Sequence, residues 1–233
     1  SYQLDDKFRL VAQSRTEAEG LGLQTAKSTK RRSSLGLEAD LERARIGFSV
    51  GQLSESQGLL GSEFAEPLAD FEALNTLTFD ANLEYQANAT WGLEGAFSLG
   101  LGEDQKTQGL VTQVSDVKST AASLSLVAKN LGRQPAGRQS LTKISVSQPL
   151  AVTSGKMHYD KPTARSIDGT IYREQGAINL GTDSRQVDFE ARYGLLDLNK
   201  GAGFEAFSAL SLNPGNQQAD PAFSLGIKYS LKL

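Results

Sequence analysis

Cysteine is absent from the 233 residues, which excludes disulfides, thiolate metal sites and cysteine nucleophiles. Histidine occurs once, as His158, so any imidazole-dependent chemistry runs through that residue. No stretch reaches the ~18 consecutive apolar residues of a membrane-spanning helix. Basic surplus is missing too: 24 Lys and Arg stand against 27 Asp and Glu, for a net charge of −3, so nothing points to nucleic acid. Proline is scarce, at 6 residues against 23 glycines. The hydrophobic share of 39% is low for a water-borne core of this size. The chain opens on Ser1 rather than Met, which is expected of a processed product or fragment whose signal peptide is gone. No cofactor is expected.

What is present is alternation with a period of two. In the last segment Phe223, Leu225, Ile227, Tyr229, Leu231 and Leu233 point one way, and Ser224, Gly226, Lys228, Ser230 and Lys232 the other. Alternate residues of a strand face opposite sides. The same reading recurs in Leu77, Phe79, Ala81, Leu83 and Tyr85, in Trp91, Leu93, Phe97, Leu99 and Leu101, and in Val187, Phe189, Ala191, Tyr193 and Leu195. Twelve strands are read: 7–15, 33–41, 44–53, 74–87, 91–102, 119–130, 140–152, 156–162, 166–173, 185–197, 203–213 and 221–233.

Strands of a soluble sandwich are short, with a mode of about five or six residues. Several here run to about ten, the ~9–11 that cross a bilayer when tilted. A transmembrane barrel shows lipid its apolar face and lines its lumen with the polar one. The connections alternate long (16–32, 54–73, 103–118, 174–184) and short (Glu42-Arg43, Asn88-Ala89-Thr90, Asn199–Ala202), except that 153–155 is short where a long one is due. Short turns on one side and long loops on the other fit an outer-membrane barrel, and an even strand count puts both termini on the periplasmic side. The expectation is one all-β domain over 1–233, an antiparallel transmembrane barrel of about twelve strands, with 1–6 as a possible linker from an upstream passenger. Tyr85, Trp91 and Tyr229, near strand ends, suit interface anchors or ordinary cross-strand packing.

The polar faces carry charge of both signs. Arg9, Glu38, Asp40, Arg45, Glu84, Glu94, Lys129, Lys143, Asp188, Glu190, Arg192 and Lys228 are the expected lumen-lining set. Charges in a narrow barrel must pair or meet water. They read equally as a salt-bridge network that stiffens the wall and as a hydrophilic conduit for a passing chain.

Ser147-Gln148-Pro149-Leu150-Ala151-Val152, followed by Ser154-Gly155, resembles the "SQPLRV…G" stretch in the β-domains of subtilisin-type autotransporters, with Ala151 in place of Arg. Ile178–Gly181 and Ser184–Glu190 resemble that family's "L-x-P-x-G-R-E-x-D-x-E" run, lacking its Pro and the Gly before Arg and with Gln186 for Glu. Gly58–Ser62 is similar to its "LLGS" loop, Leu4–Phe8 to the segment where such domains begin, and Trp91 opens a strand where the family places one. Residues 221–233, with Phe223, Leu225, Ile227, Tyr229, Leu231 and Leu233 as its signal, resemble the insertion signal read by the barrel-assembly machinery, ending in Leu rather than Phe. The resemblance implies a translocator barrel that exports and anchors a passenger lying upstream of Ser1. It also implies chaperones of the periplasm, lipopolysaccharide and the bilayer as partners.

Other readings remain open at this point. A small porin would share the alternation. An outer-membrane hydrolase would draw on His158 with Ser154 or Ser166 and Asp160 or Asp168, though no elbow of the G-x-S-x-G kind supports it, the Gly47–Gly51 string falling inside the strand read over 44–53. A satisfied rim histidine is the plainer account. Glu63, Glu66, Asp70 and Glu72 suit calcium or magnesium or a solvated acidic loop. Lys27, Lys30, Arg31 and Arg32 suit lipid phosphates or a solvated loop that blunts an edge. Gly155-Lys156 lacks the remaining residues of a phosphate loop. Asn88-Ala89-Thr90 fits a glycosylation acceptor, but its position says tight turn. A soluble sandwich or binding module is the last alternative.

Overall fold

A computed structural model of the protein describes residues 1–19, 28–56, 58–59, 62–63, 73–107, 109–131, 137–197 and 202–231. In chain order the strands are β1 (Tyr2–Gln3), β2 (Phe8–Glu19), β3 (Ser28–Asp40), β4 (Ala44–Glu55), β5 (Gly58–Leu59), β6 (Ser62–Glu63), β7 (Leu74–Gln86) and β8 (Trp91–Gly102). They continue as β9 (Gln105–Lys106), β10 (Val111–Lys129), β11 (Arg138–Arg165), β12 (Ile171–Asn179), β13 (Val187–Asp197), β14 (Ala202–Leu212) and β15 (Ala222–Leu231). One short 3-10 turn, Pro214–Asn216, precedes β15.

Thirteen strands form one antiparallel sheet in the order β1-β2-β3-β4-β7-β8-β10-β11-β13-β14-β15, with β12 on β11 and β9 on β10; β5 and β6 form a separate ribbon. Because neighbours in sequence are neighbours in space, the sheet is a simple meander. The β12 strand lies against residues 156–165 of β11 and β13 against residues 138–147. They are two segments of one descending pass. With β1 and β9 reduced to two residues each, the chain makes ten full passes. Termini and short turns share one edge, here the near edge, and the longer connections lie at the far edge. Among the described residues β15 pairs only with β14, and β2 carries only β1 on its outer side. The sheet is therefore open.

Three strand expectations are corrected. Segments 140–152 and 156–162 are one 28-residue strand, β11. Residues 153–155 are strand rather than a connection, so the loop alternation has no exception there. Segment 166–173 is mostly the turn that joins β11 to β12: Thr170 N bonds Asp168 Oδ1 and Ser166 N bonds Thr170 O, with strand resuming at Ile171. Further, the 16–32 connection shortens, because β2 runs to Glu19 and β3 starts at Ser28. The possible linker at 1–6 folds back as β1, with Asp5 Oδ1 accepting from Lys7 N and Phe8 N.

Register makes the two faces explicit. Phe8, Ala39, Ile46, Leu83, Gly95, Leu124, Val146, Phe189, Leu210 and Phe223 are successive cross-strand partners through all ten passes. This row has no polar side chain, and it lies on an exposed face: Phe48 is 62% exposed, Leu124 49%, Ile144 56% and Phe223 71%. Ordinary folding buries such residues. The chain exposes 15497 Å² in all, against about 10,000 Å² for a compact soluble monomer of this mass. The main cluster of buried hydrophobics lies toward the far edge, where Leu74, Val111, Val114 and Val117 are buried and Val152, Met157 and Leu180 pack on them; Val127 and Ala128 are buried at the near edge.

Candidate functional site: the polar face of the sheet

The polar face is built by the residues that alternate with the apolar row. Asp40, Arg45, Glu84 and Glu94 are successive partners, continued by Ser125, Ser145 and Glu190. Arg9 opposes Glu38, Arg192 opposes Lys143, and Lys228 opposes Glu205. Lys129 and Asp188 are in the same phase. The register thus places all twelve sequence-derived charges on one face.

Local electrostatics explain how like charges coexist there. Glu84 and Glu94 stand directly opposite each other, which alone is destabilising. Arg45 approaches Glu84 at 3.8 Å and Asp40 at 2.6 Å, while Lys143 Nζ reaches Glu94 at 2.7 Å. A cation on each flank of the acidic pair offsets the repulsion. Arg9 pairs with Glu38, and Arg192 pairs with Glu190 and with Glu205 at 3.4 Å. Asp188 accepts from the Gln186 amide at 2.8 Å. Among the described residues Lys129 Nζ finds only the Gln86 amide oxygen, at 3.3 Å. Lys228 has no carboxylate partner among the described residues, because Glu205 turns toward Arg192.

A second centre lies higher on the same face and was missed among the sequence candidates. Asp80 accepts from Arg32 Nη2 at 2.6 Å, Ser98 Oγ at 2.6 Å and Ser49 Oγ at 3.5 Å. The signal was available: Asp80 alternates in phase with Asn82 and Glu84. What hid Arg32 was its assignment to a loop, since Lys30, Arg31 and Arg32 lie on β3, opposite Glu55, Ser54 and Leu53. That basic run is therefore not a solvated loop; Lys27 lies outside the described residues.

Part of the face is closely packed from small residues, Gly51, Gly100 and Ser119 being buried. Ser34, Gly51, Thr78, Gly100 and Ser119 form one cross-strand row with little side-chain bulk. Elsewhere side chains lean over glycines, as Asn82 does over Gly47, Phe207 over Gly226 and Tyr159 over Gly176. In each case the glycine supplies the space in which its neighbour lies flat.

The structure does not assemble a hydrolase triad at His158. His158 sits between Gln113 and Ala177 in the β10–β11–β12 ladder. Asp160 is held by Arg173 at 3.0 Å, Ser154 Oγ donates to the Asp116 carbonyl, and Asp168 is engaged by the turn at Thr170. Among the described residues no cluster of three His, Cys, Asp or Glu could hold a metal. Of the acidic loop candidates, Glu66, Asp70 and Glu72 lie outside the described residues, and Glu63 is in β6. Asn88-Ala89-Thr90 is a tight turn, in which Asn88 Oδ1 accepts from Thr90 N and Trp91 N, both at 2.8 Å.

On the opposite, apolar face, aromatics gather toward the near edge. Tyr85, Trp91, Tyr193 and Tyr229 are all at least 39% exposed there. No helix of the described residues is long and apolar enough to cross a membrane. Comparison with known proteins returned no matching family model, no matching curated protein and no matching solved structure.

Proposed function

We propose that the chain is a transmembrane β-barrel of the outer-membrane type, closed by pairing β15 with β2, which exports and anchors a passenger joined at its amino end. The observation that carries the membrane reading is the apolar cross-strand row, unbroken from Phe8 to Phe223, in which no member is buried and Phe8, Leu83, Leu124, Phe189, Leu210 and Phe223 are exposed. Water penalises such a face by roughly 25 cal/mol per Å², whereas hydrocarbon does not. The strands of 10–13 residues in β7, β8, β13, β14 and β15 match the ~9–11 needed to span when tilted. An even number of passes makes β2 and β15 antiparallel to each other, so their open edges are able to pair. Closure is what a membrane demands, since an unpaired edge in hydrocarbon costs several kcal/mol per group. Tyr85, Trp91, Tyr193 and Tyr229 are placed as a girdle at one interface.

The translocator part of the reading rests on the autotransporter resemblance and on the hydrophilic, mixed-sign face that becomes the lumen. Both ends of the meander then lie on the periplasmic side, and the near edge is the periplasmic rim. The assembly machinery would read the strand from 221 onward, of which residues 232–233 lie outside the described set. A small diffusion channel is the second reading, favoured by the partly exposed ion pairs of the polar face, such as Arg45 with Asp40 and Glu84.

The test is heat-modifiability after refolding residues 1–233 into detergent micelles. A closed barrel resists the gel detergent until boiled. A mobility shift with β circular dichroism is expected; a chain that folds and stays soluble in plain buffer with no shift would sink the membrane reading. A reporter fused ahead of Ser1 and tested for surface proteolysis then separates the two functions. Exposure of the reporter supports export, and bilayer conductance without exposure supports the channel.

A further inference from the structure

The polar face holds a cavity of about 750 Å³ near its periplasmic rim, spread over β10, β11, β13, β14 and β15. Its composition departs from the rest of the face. Leu141 and Leu196 are in the polar phase, opposite Gly194 and Gly203, and are 46% and 43% exposed. They are half-exposed aliphatic side chains on a face that is mostly charge, serine, glycine and alanine; of the other large apolar residues in this phase, Val127 is buried and Phe207 lies over Gly226. Gly194 forms open floor between them: a Cβ added there meets nothing closer than 3.9 Å. The flanks are cationic. Lys129 and Lys228 lie in the same cross-strand row, as Lys129–Leu141–Gly194–Glu205–Lys228. Neither has a carboxylate, Lys129 meeting only an amide oxygen and Lys228 no partner among the described residues. Every other cation in the surrounding wall, Lys143 and Arg192, is ion-paired.

We propose that this cavity binds a single acyl chain with an anionic head, the chain lying over Gly194 between the two leucines and the head meeting Lys129 or Lys228. An apolar hollow with a few convergent polar groups is the usual form of a small-ligand site. Two leucines facing a water-filled lumen are otherwise a cost, and two uncompensated cations beside them are unexplained by wall stiffening. A carboxylate or phosphate head answers the cations with charge-assisted hydrogen bonds, while the chain removes the leucines from water. A neutral alcohol answers only the second.

The inference rests on the barrel reading, in that the polar face is taken as an enclosed lumen. The experiment is calorimetric titration of octanoate into the micelle-refolded protein, with its heat-modifiability measured on the same sample. If the sample fails to shift on boiling, the barrel reading fails; if it shifts and octanoate does not saturate, this inference fails alone. Gly194→Leu fills the floor without a backbone clash and is expected to abolish saturable binding. Lys129→Gln with Lys228→Gln is expected to weaken it about ten-fold or more. Should Gly194→Leu not refold, Leu196→Gln removes the apolar wall at a position already half exposed, and the same loss is expected. Micelle partition is common to all these variants and cancels. Octyl phosphate in place of octanoate distinguishes a phospholipid-like source from a fatty acid, tighter binding of either supporting the site. Equal binding by wild type and Gly194→Leu, or octanol competing as well as octanoate, overturns the proposal.

Discussion

The two halves of β10 obey opposite rules. Toward the far edge Val111, Val114 and Val117 are 6%, 0% and 2% exposed; toward the near edge Leu124 and Leu126 are 49% and 43% exposed. The sequence chemistry is similar in both halves, but the sheet around it differs. In the upper half β9 and the β11–β12 hairpin wrap the strand, and Val152, Met157 and Leu180 close over it. In the lower half the two leucines point away from the protein, while Ser119 and Ser125 are nearly buried and Val127, in the polar phase, is buried at the near edge. One region buries its valines as a water-soluble protein does. The other turns its leucines outward, as a protein does whose solvent is hydrocarbon. The upper half carries register shifts between Val111 and Gln113 and between Ser115 and Lys118, with Asp116 at φ 54°, and two more, between Lys118 and Ser119 and between Thr120 and Ala122, mark the boundary.

That comparison breaks most readily in the upper half. Val114→Asp places an unpaired carboxylate in a site with no exposure, and is expected to cost about 4 kcal/mol. The check is amide-exchange protection, which should be lost in β9–β12 first. Retained protection there, with loss spread evenly over the sheet, would show that the upper core is not a separate unit. In the lower half Leu124→Arg separates the two solvents directly. On a lipid-facing midplane it costs roughly 2–4 kcal/mol in a bilayer, measured by urea unfolding from vesicles. On a water-facing sheet it costs almost nothing, since Leu124 is already half exposed. A smaller loss, about 1 kcal/mol after screening, is expected from Asp80→Asn, which leaves Arg32 without its carboxylate on a face where both partners remain partly wet. The lower sheet should be stiffened by that network and the upper core indifferent to it, so a change in upper-core exchange would contradict the division.

The lower sheet was legible in the sequence because period two is the direct print of a strand with two different environments. Phe79, Leu83 and Tyr85, or Phe223, Leu225 and Ile227, need no tertiary information to be placed on one face. The upper core was not legible, because its valines recur every three residues, a spacing that no regular strand keeps on one side. The first two register shifts supply the missing rotation, each adding a residue to β10 against β11 and turning the next valine inward. The long β11 was split for a related reason. Ser154-Gly155 and Pro162 read as breaks, yet Pro162 falls beyond Tyr159, where pairing with β10 has ended and β12 is the remaining partner. A strand tolerates proline in that edge-like setting. The charges of the polar face followed from phase alone, whereas Leu141 and Leu196 violated the binary pattern and so escaped it.

The mildest test concerns the tip of the β11–β12 hairpin, which stands outside both the upper core and the apolar belt. Asp168 is fully exposed, and its carboxyl is held below the usual range first by the Thr170 backbone N–H, then by the Ser166 and Thr170 hydroxyls. Its folded value is lower than its unfolded one, so the turn's contribution is present above the unfolded pKa. It is lost as pH falls through the folded value. Acidification is therefore expected to loosen residues 166–170, seen as a shift of the Thr170 amide resonance that titrates with Asp168, while resonances from the upper core stay fixed. Asp168→Asn keeps an acceptor without the charge and should remove the titration but preserve the turn. If the upper core instead titrates along with the tip, the hairpin and core are one cooperative unit, and the division drawn along β10 must be moved outward to the turn itself.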